Sequence, residues 1–261
     1  MQLEIIDYGK VASYCLVYID DLDEELKDLI DKNFLEIVIG KLEAERVEKE
    51  DKEEIYESIC DAKKYISSKK CNTNRTGIVG ELLFHSILRT EELSNKFLSL
   101  CPTIGYSDSY SQFYKGFDGC YYGDNRIWIC EVKSKVESKT LDNDNKDKLI
   151  EASSQILKEV NDKENNRWLK AKKYVNLQHA DAVDIFKLFR NSKRNEYNQL
   201  VCSMLICKNG EFNKSYIEKY IETLIHYSVP NQKIFCICIR NYDYEKIIEY
   251  VEKEVGACYA N

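Results

Sequence analysis

Three side chains stand where a buried strand should carry apolar residues. Glu131 and Lys133 interrupt the run Ile127, Trp128, Ile129, Cys130 and Val132, and Asp118 lies just upstream in FDGCYY. A buried charge without a partner is costly, so these charges either neutralise one another or work at the rim of a sheet. The segments FDGCYY and RIWICEVKS are joined by GDN. Asp124 and Asn125 suit a two-residue hairpin turn whose central residues need positive φ. That turn pairs Gly123 with Arg126 and Tyr122 with Ile127, and the same count sets Asp118 across from Glu131, on one face. Lys133, two residues on, shares the face, and Gly116 opposite it leaves space. A turn longer by one residue would separate the two acids.

Two adjacent carboxylates repel unless a cation lies between them. Lys133 supplies part of that charge. A divalent ion, Mg²⁺ or Mn²⁺, supplies more, because hard cations are held by one or two carboxylates together with water and phosphate oxygens. A bound ion of this kind acidifies water and polarises a phosphoryl oxygen, while a lysine beside it can orient the water or stabilise negative charge. The kit suits metal-assisted phosphodiester hydrolysis. Glu81 offers a third acid, expected in the first turn of a helix after Gly77 and Gly80, where close approach to a sheet is possible. His85, four residues on, shares that helix face and reads as a core or rim histidine. The competing explanation is a structural ion-pair cluster in a non-catalytic binding module.

The remaining composition narrows the field. Among 261 residues there are 11 cysteines but no C-x-x-C pair, and most sit in apolar stretches. Buried reduced thiols explain them better than zinc or disulfides. Three histidines are too few and scattered for most histidine-based sites. No apolar run approaches a membrane span and the first residues do not resemble a signal peptide, so a cytoplasmic protein is expected. The net charge is -7, with acid concentrated in residues 20–60. Lys170, Lys172, Lys173, Arg190, Lys193 and Arg194 form a locally basic stretch, either a phosphate track or solvated helix charge.

The elements that must position these residues form an α/β pattern. VASYCLVYI reads as a strand, DEELKDLIDKNFLEIVIG as a helix closed by Gly40, and residues 42–68 as one charged helix with a seam of Val47, Ile55, Ile59, Ala62 and Ile66. CNTNR reads as a turn, followed by the helix TGIVGELLFHSILR. Beyond the hairpin, KDKLIEASSQILKEV is an amphipathic helix, with RWLKAKKY and DAVDIFKLFR as further helical segments. The last third alternates strand LVCSMLIC, helix KSYIEKYIETLIHY, strand KIFCICIR and helix YEKIIEYVEKEV. This alternation predicts a partly parallel sheet covered on both faces. A boundary near residue 70 divides an acidic, helix-rich N-terminal segment (1–70), a possible partner-docking surface, from an α/β body (71–261).

GELLFHSILR, KGFDGCYY and WICEVKSK together resemble the PD-(D/E)xK nuclease superfamily and, within it, the HamA nuclease subunits of the Hachiman anti-phage defence system. The likeness runs from Gly77 to the C-terminus and is strongest up to Lys135; Phe117 stands where the superfamily motif has proline. It implies a restriction-endonuclease-like mixed sheet flanked by helices and a metal-dependent deoxyribonuclease. Asp118, Glu131 and the main-chain carbonyl of Val132 would be metal ligands, Lys133 the catalytic lysine and Glu81 the helix acid, with Gln155 a candidate auxiliary residue. The implied partners are DNA and the helicase subunit HamB, which restrains the nuclease. A repair or recombination nuclease on the same fold, such as a junction resolvase, is the alternative enzyme.

Overall fold

The computed structural model describes residues 1–7, 12–49, 51–68, 72–94, 96–100, 117–136, 141–162, 197–207 and 232–257. Seven strands form one mixed sheet: β1 (Gln2–Asp7), β2 (Ala12–Ile19), β3 (Leu98–Ser99), β4 (Gly119–Gly123), β5 (Arg126–Val136), β6 (Asn198–Cys207) and β7 (Gln232–Arg240). Their order is β1-β2-β7-β6-β5-β4-β3. β2, β7, β6 and β5 run parallel, and β1, β4 and β3 pair antiparallel at the two edges. β6 is buried along its whole length, as expected of a strand with helices on both sides. The arrangement is broadly restriction-endonuclease-like.

Helices α1 (Glu24–Ile39), α2 (Lys41–Val47), α3 (Lys52–Ser68), α4 (Asn72–Ile87), α5 (Glu91–Ser94), α6 (Leu141–Asn161) and α7 (Asn241–Lys253) flank the sheet. α4 covers one face of β5: a Cβ on Gly80 would sit 2.1 Å from Ser134 Oγ. α6 covers the other, where Lys135 Nζ meets Asp144 Oδ1 at 2.5 Å. The larger core lies on the α4 side, with Leu82, Leu83 and Phe84 against Cys202, Met204, Phe235 and Ile237. Leu149, Ala152, Ile156 and Val160 bury the apolar face of α6.

Local chemistry explains most boundaries. Asp23 caps α1 by accepting the Leu26 amide at 2.9 Å, and Gly40, at φ 88°, ends it. The single helix expected over residues 42–68 is two. Asp51 accepts the Glu54 amide at 3.0 Å and starts α3 afresh, a capping arrangement in which Asp51 and Glu54 stand three apart. Val47, Ile55, Ile59 and Ala62 are buried, so the seam packs on the protein's own body; the side chain of Ile66 is outside the described residues.

The turn expected at CNTNR is also overturned. Asn72 to Arg75 form the first turn of α4, which places Glu81 in mid-helix rather than in its first turn. Asn and Thr form turns readily but disfavour helix only modestly, and the helix is held by tertiary contacts, including Tyr244 Oη to Thr76 Oγ1 at 3.1 Å. Gly80 provides the expected close approach to the sheet, but Gly77 faces open space. The cysteines described are free thiols, all buried except the half-buried Cys60. Among the described residues no helix is long and apolar enough to cross a membrane. The helices expected at residues 167–174, 181–190 and 214–227, the basic residues 170–194, and Gly116 lie outside the described residues.

Candidate functional site

The β4–β5 hairpin has the expected register. Asp124 and Asn125 take φ of 52° and 56°, as the two-residue turn requires, and the ladder runs from Gly123↔Arg126 to Gly119↔Cys130. Asp118 is the next residue, level with Glu131. There β4 leaves the ladder, and the Asp118 carboxylate takes its place: Val132 N–H donates to Oδ2 at 2.8 Å. This tether was not legible in the sequence, because it depends on where β4 stops.

Glu131, Lys133 and Lys135 alternate onto the α6 face of β5. Lys133 Nζ donates to Glu131 Oε1 at 2.7 Å. Glu131 is only 4% exposed, and its second oxygen, Oε2, is buried without a hydrogen-bond partner among the described residues. Burial and the nearby Asp118 charge push the Glu131 carboxyl up to about 8, against the pull of Lys133. For Lys133, burial opposes the charge, but Glu131 and Asp118 outweigh it and raise the ammonium above its ordinary value. Glu81 on α4 joins the same group. Burial, then Asp118 and Glu131, hold its carboxyl well above the usual carboxylate range. The hairpin and α4 thus bring Glu81, Asp118, Glu131 and Lys133 into mutual electrostatic reach, three acids for one lysine.

α6 contributes two residues that the sequence did not single out. Glu159 is buried, accepts a hydrogen bond from Gln155 Nε2, and adds to the upward pressure on Glu131. Glu151 acts on Lys133 from the same helix. The spacing 151, 155, 159 marks one helix face, but nothing in the chain order says which strand that face would meet. Gln155 is therefore turned toward Glu159 within its own helix. His85 proves to be a core histidine: fully buried, with Nδ1 hydrogen-bonded to the Tyr121 hydroxyl.

Among the described residues, no three His, Cys, Asp or Glu side chains converge into a ready-made metal cage. The donor set nevertheless fits a hard cation. It consists of carboxylates in excess over one lysine, and a buried carboxylate oxygen of Glu131 that no donor among the described residues satisfies. Asp118 and Glu131, level across the hairpin, are the candidate ligands for such an ion.

A family model described as HamA matches residues 2–255 of the chain. No curated protein matches it.

Proposed function

Because the chain belongs to the HamA family, we propose that it is a metal-dependent DNA nuclease of an anti-phage defence system, working with a helicase partner that restrains it. One observation carries the chemical part of this reading. Glu131 is buried on the α6 face of the sheet within electrostatic reach of Asp118 and Glu81, with one oxygen held by Lys133 and the other without a partner among the described residues. Structure alone gains nothing from that arrangement, since repelling acids in a low-dielectric site destabilise the fold.

Asp118, Glu131 and the Val132 carbonyl would hold Mg²⁺ or Mn²⁺. The bound ion would lower the pKa of water and draw charge from a phosphoryl oxygen. The chain's own residues have separate tasks. Asp118, tethered by the Val132 amide, keeps its carboxylate at the end of β4. Lys133 is anchored by Glu131 at 2.7 Å, which fixes its ammonium where it can orient an attacking water or meet developing negative charge. Glu81 brings a third acid whose raised proton affinity suits proton exchange at the rim.

Glu131→Ala or Lys133→Ala should abolish plasmid cleavage in Mg²⁺ while the protein stays folded, and wild-type cleavage by either variant would overturn the assignment. A second reading draws on the same 2.7 Å contact, treating Glu131 and Lys133 as a structural ion pair. It predicts a large loss of stability in Lys133→Ala and no metal dependence of any property.

The partner assignment rests on family and charge. Glu24, Glu25 and Asp28 on α1 are exposed acids in the N-terminal segment, and we place helicase docking on this segment. Replacing all three with lysine should weaken co-purification with the helicase; undiminished co-purification would rule this surface out.

A further inference from the structure

The side of the hairpin away from Glu131 carries a buried polar brace that the reaction chemistry does not require. Tyr121 on β4 pairs with Trp128 and turns toward α4. Its ring stacks on His85 with centroids 5.7 Å apart, and its hydroxyl is hydrogen-bonded to His85 Nδ1. Arg89 Nη1 donates to the His85 carbonyl at 2.8 Å, while Arg89 Nη2 donates to Glu36 Oε1 of α1 at 2.8 Å. The His85 ring lies directly beneath Gly119. A Cβ on Gly119 would fall 2.9 Å from His85 Cε1, closer than real Cβ contacts come. Nε2 has no hydrogen-bond partner among the described residues.

The consequence is positional. Gly119 is the residue after Asp118 and the last in the ladder, so whatever fixes Gly119 fixes the Cα from which the Asp118 carboxylate reaches Val132. A wholly apolar filling under Gly119 would cover the sheet equally well. This position instead holds a histidine with a hydrogen bond to Tyr121, and an arginine that ties its main chain to a different helix. Buried polar groups of this kind cost stability unless satisfied, and once satisfied they specify one arrangement.

We propose that His85 is a positioning residue for Asp118: held by Tyr121 and Arg89, its ring seats Gly119 and thereby sets the place of the metal-ligating carboxylate. The inference rests on the nuclease reading above. It gives Gly119 a stated requirement, no side chain, and makes α1, through Glu36, a mechanical neighbour of the site. Groups behind a ligand commonly tune metal affinity by about 10- to 100-fold.

The test measures Mn²⁺ affinity by calorimetry, together with the Mg²⁺ concentration that half-saturates cleavage and kcat at saturating metal. Tyr121→Phe removes one oxygen and leaves the ring. It should raise the Kd and the half-saturating concentration about 10-fold, with kcat at saturating metal within about 2-fold. Gly119→Ala, which pushes on the ring, should raise both further, and His85→Gln, able to keep a hydrogen bond to Tyr121, should do less than His85→Phe. If Gly119→Ala fails to fold, Tyr121→Phe decides alone. Melting temperatures that fall while Mn²⁺ affinity stays at the wild-type value would make the brace core packing only and overturn the proposal. Asp118→Asn separates the two levels. If it loses metal and Tyr121→Phe does not, the brace is wrong and the site stands. If Asp118→Asn binds Mn²⁺ like wild type, the site reading itself fails and takes the brace with it.

Discussion

Two lysines on the same face of β5 each meet a carboxylate, and their surroundings differ. Lys135 meets Asp144, which is fully buried, at 2.5 Å at the start of α6. Next to this pair, Asn145 bonds the Ser203 hydroxyl and approaches Cys236 Sγ, so the polar groups at this end of α6 close on one another. Two residues earlier on the strand, Lys133 meets Glu131 at 2.7 Å, but Asp118 and Glu159 press on the same carboxyl, Glu81 feels its charge, and one of its oxygens has no partner among the described residues. The first pair is balanced and fastens a helix to a sheet. The second holds more carboxyl groups than its one lysine can balance, and their proton affinities rise in answer. A buried ion pair by itself says little about function; the acids left over after pairing are what separate a fastener from a site.

Breaking the two pairs in parallel should reverse the ranking of their effects. Lys135→Ala takes the amine from the buried Asp144 carboxyl and should cost about 3 kcal/mol in urea denaturation, with cleavage retained below the melting transition. Lys133→Ala should cost far less, about 1 kcal/mol or under, because Glu131 already favours its proton and can neutralise itself. Equal losses from the two variants would erase the distinction.

Next in size is a pH effect confined to the second pair. In metal-free protein the Glu131 carboxyl, raised to about 8, binds its proton more tightly folded than unfolded. Its contribution is therefore complete below the ordinary carboxylate value and is lost as pH climbs toward about 8. Glu131→Gln should flatten that decline in stability, and Asp144→Asn should not.

Smaller effects test the hairpin that carries the site. A Cβ on Gly123 would lie 2.0 Å from the Lys96 carbonyl oxygen, so Gly123→Ala should destabilise by about 1–3 kcal/mol. Asn125→Gly, at φ 56°, should change stability by about 1 kcal/mol or less, leaving cleavage untouched.

The hairpin was legible because Asp124-Asn125 admits few turns, and a two-residue turn dictates which residues oppose each other. Asp118, Glu131 and Lys133 follow from that count. The parallel centre of the sheet was legible for a similar local reason, as β6 and β7 are near-continuous apolar runs. Less could be read where position depends on distant packing. Asn72 to Arg75 have turn-forming side chains but are drawn into α4, and the Asp51 cap divides a helix whose apolar seam looked continuous. β1 passed unnoticed because an edge strand needs little apolar sequence of its own. Glu159 was invisible for a topological reason, since its role depends on α6 lying along β5 and no local pattern specifies that. The Arg89–Glu36 contact spans 53 positions and two helices, beyond any periodicity.

The central claim, that the surplus acids around Glu131 are kept for a divalent cation, is tested most directly by the melting temperature of the purified chain titrated with Mg²⁺ and Mn²⁺. A ligand that binds only the folded state raises it by mass action. The account predicts a rise of several degrees in wild type that disappears in Glu131→Gln and survives in Asp144→Asn. A melting temperature indifferent to either ion, or an equal rise in Glu131→Gln, would contradict it.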